Sequence, residues 1–103
     1  MFVLVAHFTE PAPTEALAML AAQPSCRRMI FARSTDEVGR YVLIGEFADA
    51  AAYRRVLAPF EVRTTVIPWL STALPGAGVH EALATATGGD VRTHEPTVTP
   101  GRS

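Results

Sequence analysis

The stretch GRYVLIGEFADAAAYRRVL, residues 39–57, decides the fold. Residues 40–47 are rich in β-branched and aromatic side chains bounded by a glycine, the mark of a strand. Asp49 is placed to cap a helix through about Leu57, with Tyr53, Val56 and Leu57 along one face. Side chains alternate along a strand, so Tyr41, Leu43 and Phe47 share one side and Val42 and Ile44 the other. Glu46 is the one ionisable side chain between Tyr41 and Phe47. Parity sets it opposite Leu43 and Phe47, on the side where an arginine such as Arg28 or Arg33 can pair with it.

Working outward, FVLVAHF (2–8) reads as a strand that ends at TEPAP. PTEALAMLAAQ (13–23) reads as a helix with Thr14 as its cap and Pro24 as its stop. CRRMIFARS (26–34) is a second strand, and the polar TDEVG (35–39) is a hairpin connection. PFEVRTTVIPWLSTAL (59–74) carries two patterns. Val62, Val66, Trp69 or Leu70, and Ala73 fit helical spacing, while 61–67 is also rich in strand formers. Helix is the favoured reading, kinked or restarted at Pro68. PGAG (75–78) is a turn, and VHEALATAT (79–87) reads as one last strand. From Gly88 the composition turns to Gly, Pro, Thr and charge, which predicts a domain over 1–88 and a flexible tail over 89–103.

The order β-α-β-β-α-β predicts an α+β fold: a ferredoxin-like four-stranded antiparallel sheet with helices on one face. A physical difficulty follows. The first strand is apolar on both sides, with Phe2, Leu4, Ala6 and Phe8 on one and Val3 and Val5 on the other. Strand 40–47 repeats the pattern. A bare sheet face of that kind is a large exposed apolar patch, and a second copy packed sheet to sheet would cover it. A homodimer is the expectation.

Composition narrows the rest. The chain has 103 residues, 49% hydrophobic and 18% charged, which suits one domain with a core of its own. Its nine basic residues are all arginine and stand against ten acidic ones, giving a formal net charge of −1. That balance offers no footprint for nucleic acid or an anionic membrane. The absence of lysine reads as the habit of a GC-rich genome. Cys26 is alone, so neither an internal disulfide nor a Cys-rich metal site can form. The first residues lack a basic signal-peptide region, and their apolar run is too short to span a bilayer, so a cytoplasmic protein is expected. Phosphate loops, dinucleotide fingerprints, zinc spacings and nucleophile elbows are missing from the sequence.

The succession of strand, acid, aromatic, Asp and helix (Glu46, Phe47, Asp49, Tyr53), preceded by FARSTDEVG and followed by IPWLSTAL, resembles the antibiotic biosynthesis monooxygenase-type family. The resemblance covers residues 2–87 and implies a dimeric α+β barrel. It also implies activities that range from cofactor-independent oxygenation of phenols to heme degradation, with no cofactor for the former. The quinone-forming members carry an Asn and a Trp on the pocket face, where this chain has Leu43 and Phe47. An alkyl group there cannot hold a substrate oxygen. Heme-degrading members have a Trp and a ligating His on the next helix; the matching positions, near Val56 and from Arg63 to Thr65, offer no axial ligand.

The candidate site follows. His7 lies on a strand with Val3 and Val5 and reads either as a histidine bonded to a carbonyl or as a pocket base, since imidazole titrates near neutrality. Leu43, Phe47, Tyr53, Val56 and Trp69 are the candidate walls of a substrate pocket, with core packing the alternative for Trp69. His80 and Glu81 are adjacent on a strand and so face opposite ways, which argues against a shared metal. His94 belongs to the tail. Two functions are left open: a cofactor-free monooxygenase-like enzyme acting on a small apolar or aromatic molecule, or a dimeric ligand-binding or structural domain of the same fold.

Overall fold

A computed structural model describes residues 1–98 of the chain. Strand β1 (Phe2–Phe8) pairs antiparallel with β3 (Tyr41–Phe47), and β3 in turn with β2 (Cys26–Arg33). Strand β4 (Val79–Glu81) closes the other side of β1, so the sheet order is β2-β3-β1-β4. Three helices, α1 (Thr14–Ala21), α2 (Ala50–Val56) and α3 (Phe60–Leu70), complete the domain. This is the antiparallel ferredoxin-like sheet that the element order predicts.

Strand parity fixes which side the helices cover. Phe2, Leu4 and Phe8 of β1 and Leu43 and Phe47 of β3 are buried. They meet Ala16 and Leu20 of α1, Ala52 and Val56 of α2, and Val62, Val66 and Trp69 of α3 in one core. The opposite side carries Val3, Val5 and His7, paired with Glu46, Ile44 and Val42. Arg28, Ile30 and Ala32 extend the same side through their pairing with β3, and His80 through Val3. None of these residues is buried, and no helix lies over them.

Local chemistry explains most of the boundaries. Asp49 caps α2 as expected: its Oδ1 accepts from the Ala52 N–H at 2.8 Å. At α1 the expectation differs from the structure. Pro13 occupies the cap position with no side-chain hydrogen bond, and Thr14 is already helical. Proline fits that edge because its fixed φ suits entry to a helix and it has no N–H to leave unpaired. Residues 60–70 are helical, and Pro68 sits inside α3 two residues from its end. There it withholds only one hydrogen bond from the last turn.

A register shift between Cys26 and Arg28 marks a bulge in β2. It sets Cys26 opposite Phe47 on the helix side and Arg28 opposite Glu46 on the other. The predicted pairing of Glu46 with an arginine is thus made by Arg28, whose Nε stands 3.4 Å from the Glu46 Oε2.

The single strand predicted over 79–87 is instead two. Strand β4 ends at Glu81, and β5 (Ala84–Thr87) pairs only with β6 (Asp90–Thr93) in a separate hairpin. Gly88 and Gly89, both at positive φ (59° and 91°), make its two-residue turn. Paired positive φ is the geometry that lets so short a turn match strand twist. Residues 89–93 of the segment expected to be a flexible tail thus form the turn and second strand of this hairpin. Beyond the hairpin, Glu81 accepts from the Thr97 N–H and hydroxyl and from the Val98 N–H at 2.7–3.1 Å. Residues 99–103 of the expected tail lie outside the described residues.

Candidate functional site

Between sheet and helices the aromatic side chains form two groups. At the end of the sheet where β1 finishes, Phe8 stacks on Trp69 with centroids 4.9 Å apart and planes at 14°. Phe31 meets Trp69 edge-on at 6.2 Å and stacks on Tyr41 at 5.5 Å and 8°. The row runs outward from buried Phe8 to half-buried Phe31 and Tyr41. At the other end Tyr53 lies 5.6 Å from Phe2 and 5.2 Å, edge-on, from Phe47. Offset and edge-to-face arrangements are the favourable ones for rings in contact. Burial pushes the Tyr53 phenol above its ordinary pKa, so it stays protonated and can donate a hydrogen bond.

The predicted walls do not play one part. Leu43 and Phe47 are 0% exposed and Val56 1%, so they fill the interior as packing. Tyr53 and Trp69 lie closer to the surface. Gly45, between Leu43 and Phe47 on the same side, leaves the space that Met29 fills: a Cβ there would sit 2.8 Å from the Met29 sulfur. The sequence places Tyr41 beside Leu43 and Phe47 by alternation but gives Phe31, Met29 and Gly45 no part in a pocket. Their parity with Leu43, carried across the 35–39 hairpin, was the available signal.

His7 does not join the walls. It is exposed on the helix-free side, opposite Val42, and its carbonyl accepts from the Leu74 N–H at 2.8 Å. The sheet lies between its imidazole and the aromatic rows. The β1 alternation that buries Phe8 turns His7 the other way. Cys26, on the helix side, has its thiol pKa raised by burial, helped by the Glu46 charge and opposed by a backbone hydrogen bond at Arg28. It is a packing residue. Glu81 is held below the usual carboxylate range by the Thr97 hydroxyl and the Thr97 and Val98 N–H groups. His94 shares a 3.1 Å hydrogen bond with the Thr85 hydroxyl. Among the described residues no three His, Cys, Asp or Glu side chains gather as a metal site, and no helix is long and apolar enough to cross a membrane. Of the row, Phe31 and Tyr41 are the rings that keep some exposure on the helix side.

No protein-family model matches the chain, and no curated protein does. Solved structures do. SnoaB, a cofactor-independent oxygenase from Streptomyces nogalater, superposes with a TM-score of 0.66 at 25% identity, over 86% of this chain and 97% of its own. A variant of SnoaB gives 0.65 at 27% identity, over 82% and 94%. The chain has the antibiotic biosynthesis monooxygenase fold. A candidate antibiotic biosynthesis monooxygenase from Deinococcus radiodurans shares that fold with a TM-score of 0.60 at 12% identity, over 84% of this chain and 97% of its own. Within this fold the helix side carries hydrocarbon at Leu43 and Phe47, while His7 faces the other side of the sheet.

Proposed function

We propose that the chain is a cofactor-independent monooxygenase-type protein, working as a homodimer, whose ligand is a small aromatic molecule held between sheet and helices. The likeness to SnoaB, at 25–27% identity over most of both chains, carries the reading. The ring row ending in half-buried Phe31 and Tyr41 supplies the ligand class, because flat rings extend a stack at little cost in order. An electron-rich substrate would bring the reactivity toward oxygen itself, while the protein supplies a dry, shaped site.

A second reading, binding without turnover, is favoured by one observation. The only histidine named as a base lies across the sheet, and no amide stands at Leu43. Losing one preorganised donor for a developing oxyanion costs about 2.7–4 kcal/mol. Oxygen uptake separates the readings: a phenol that binds and is oxidised supports the enzyme, and one that binds without oxygen consumption supports the second. Conversion of anthrone-type phenols to quinones is expected to be negligible.

The homodimer rests on the helix-free side of the sheet. Val3, Val5, Ile30, Val42 and Ile44 form an apolar strip on that face that no helix covers, and a second copy packed sheet to sheet would cover it. Pairing through the β2 edge is disfavoured by its bulge and by Arg27, Arg28 and Arg33, the devices that keep edges from adding strands. Sedimentation at low micromolar concentration tests it: a dimer is expected, and a well-folded monomer would overturn the assignment.

A further inference from the structure

Arg33 is the last residue of β2 and pairs directly with Tyr41. By strand parity it shares the helix side with Met29 and Phe31, at the outer end of the ring row. Its side chain is exposed. The nearby loop carboxylate Glu37 is engaged by Arg40, at 3.6 Å, and Glu46 by Arg28 on the other side of the sheet. Arg33 is in neither ion pair. A guanidinium therefore stands at the rim of a stacked aromatic surface with no carboxylate of the described residues bound to it. Several other arginines of the described residues are also in no ion pair; what distinguishes Arg33 is its place beside the rings.

We propose that the ligand of this site is an aromatic carboxylate, its ring extending the Phe31–Tyr41 stack and its carboxylate held by Arg33. This rests on the reading of the helix side as an aromatic-binding site and adds the charge of its occupant. The planar guanidinium presents two parallel N–H donors, the geometry a carboxylate accepts, and tolerates partial desolvation better than an ammonium would. The Tyr41 hydroxyl, opposite Arg33 in register, is a further donor at the same end. Buried hydrocarbon behind the rings, from Leu43 to Val66, offers nothing to a polar group. The anionic end of the ligand must therefore point outward, where Arg33 is.

Titration calorimetry with 2-naphthoate and its neutral methyl ester tests this on the full chain. The acid is expected to bind about tenfold tighter than the ester, the size of one net charge-assisted contact. Arg33→Gln should erase that difference and leave ester binding unchanged, while Arg92→Gln, on the distant hairpin, should preserve it. Equal binding of acid and ester by the native chain would overturn the role of Arg33 and leave the aromatic site standing. A preference for the acid that survives Arg33→Gln, or that falls equally with Arg92→Gln, would also overturn it. Failure of both compounds to bind would remove the aromatic site and this proposal together.

Discussion

The two sides of one sheet have opposite chemistry. Along β1, Phe2, Leu4 and Phe8 are at most 7% exposed, while Val3, Val5 and His7 between them face a side without helices. Along β3 the same alternation buries Leu43 and Phe47 and leaves Val42, Ile44 and Glu46 half-covered. Rings collect on the covered side. The Arg28–Glu46 pair, His7 and His80 collect on the other. The difference teaches that ionisable groups close in sequence to the pocket-forming residues can still be separated from them by a full layer of backbone. The proposed ligand surface and the proposed self-association surface thus lie on different sides of the same strands.

Substitutions at neighbouring β3 positions break this comparison most directly. Leu43→Ala removes fully buried hydrocarbon and should cost about 2–5 kcal/mol in chemical denaturation. Ile44→Asp, one residue along, is expected to leave the circular dichroism of the fold intact. It should convert the dimer to monomer in sedimentation, because burying an unpaired carboxylate between sheets costs several kcal/mol. If Ile44→Asp unfolds the chain and Leu43→Ala does not, the two sides have been assigned the wrong way round.

Smaller effects sharpen the picture of the covered side. Gly45→Ala forces Met29 from the space it occupies beside Phe47, and overpacking of that kind should lower stability by about 1–3 kcal/mol. Asp49→Ala removes the α2 cap and should cost about 1 kcal/mol, with Asn restoring most of it.

The smallest effect is expected at Glu81, which belongs to the helix side through its pairing with Phe2. Its carboxyl titrates lower folded than unfolded, so the clasp on Thr97 and Val98 contributes fully above the ordinary carboxylate range. The contribution is lost as pH falls through the folded pKa. Amide exchange at Thr97 and Val98 should accelerate on acidification beyond the intrinsic trend, and Glu81→Gln should remove that dependence. Unaltered exchange in Glu81→Gln would show that the clasp does not hold the segment.

The sequence made β1, β2 and β3 legible because alternation and flanking turn residues agree there. Asp49 announced α2 by the one side-chain N-cap among the described helices. Residues 79–93 were less legible. Ala and Thr alternate weakly, so the break at Ala82 and Leu83 leaves no mark, and Gly88-Gly89 reads as tail until β6 is seen across from β5. Leu83 and Val91, 62% and 67% exposed, give the hairpin no core to betray it. For the site, the parity of His7 with Val3 and Val5 already excluded it from the company of Phe8. Phe31 and Tyr41 needed the hairpin register to be recognised as partners of Trp69, and Arg33 needed it to be placed beside them.

The separation of the two sides is tested most directly by a nuclear magnetic resonance titration with neutral methyl 2-naphthoate. The account predicts shifts at Phe31, Tyr41 and the Trp69 indole N–H, with His7, Val42 and Ile44 unmoved. Shifts centred on His7, Val42 and Ile44, with Trp69 silent, would contradict it.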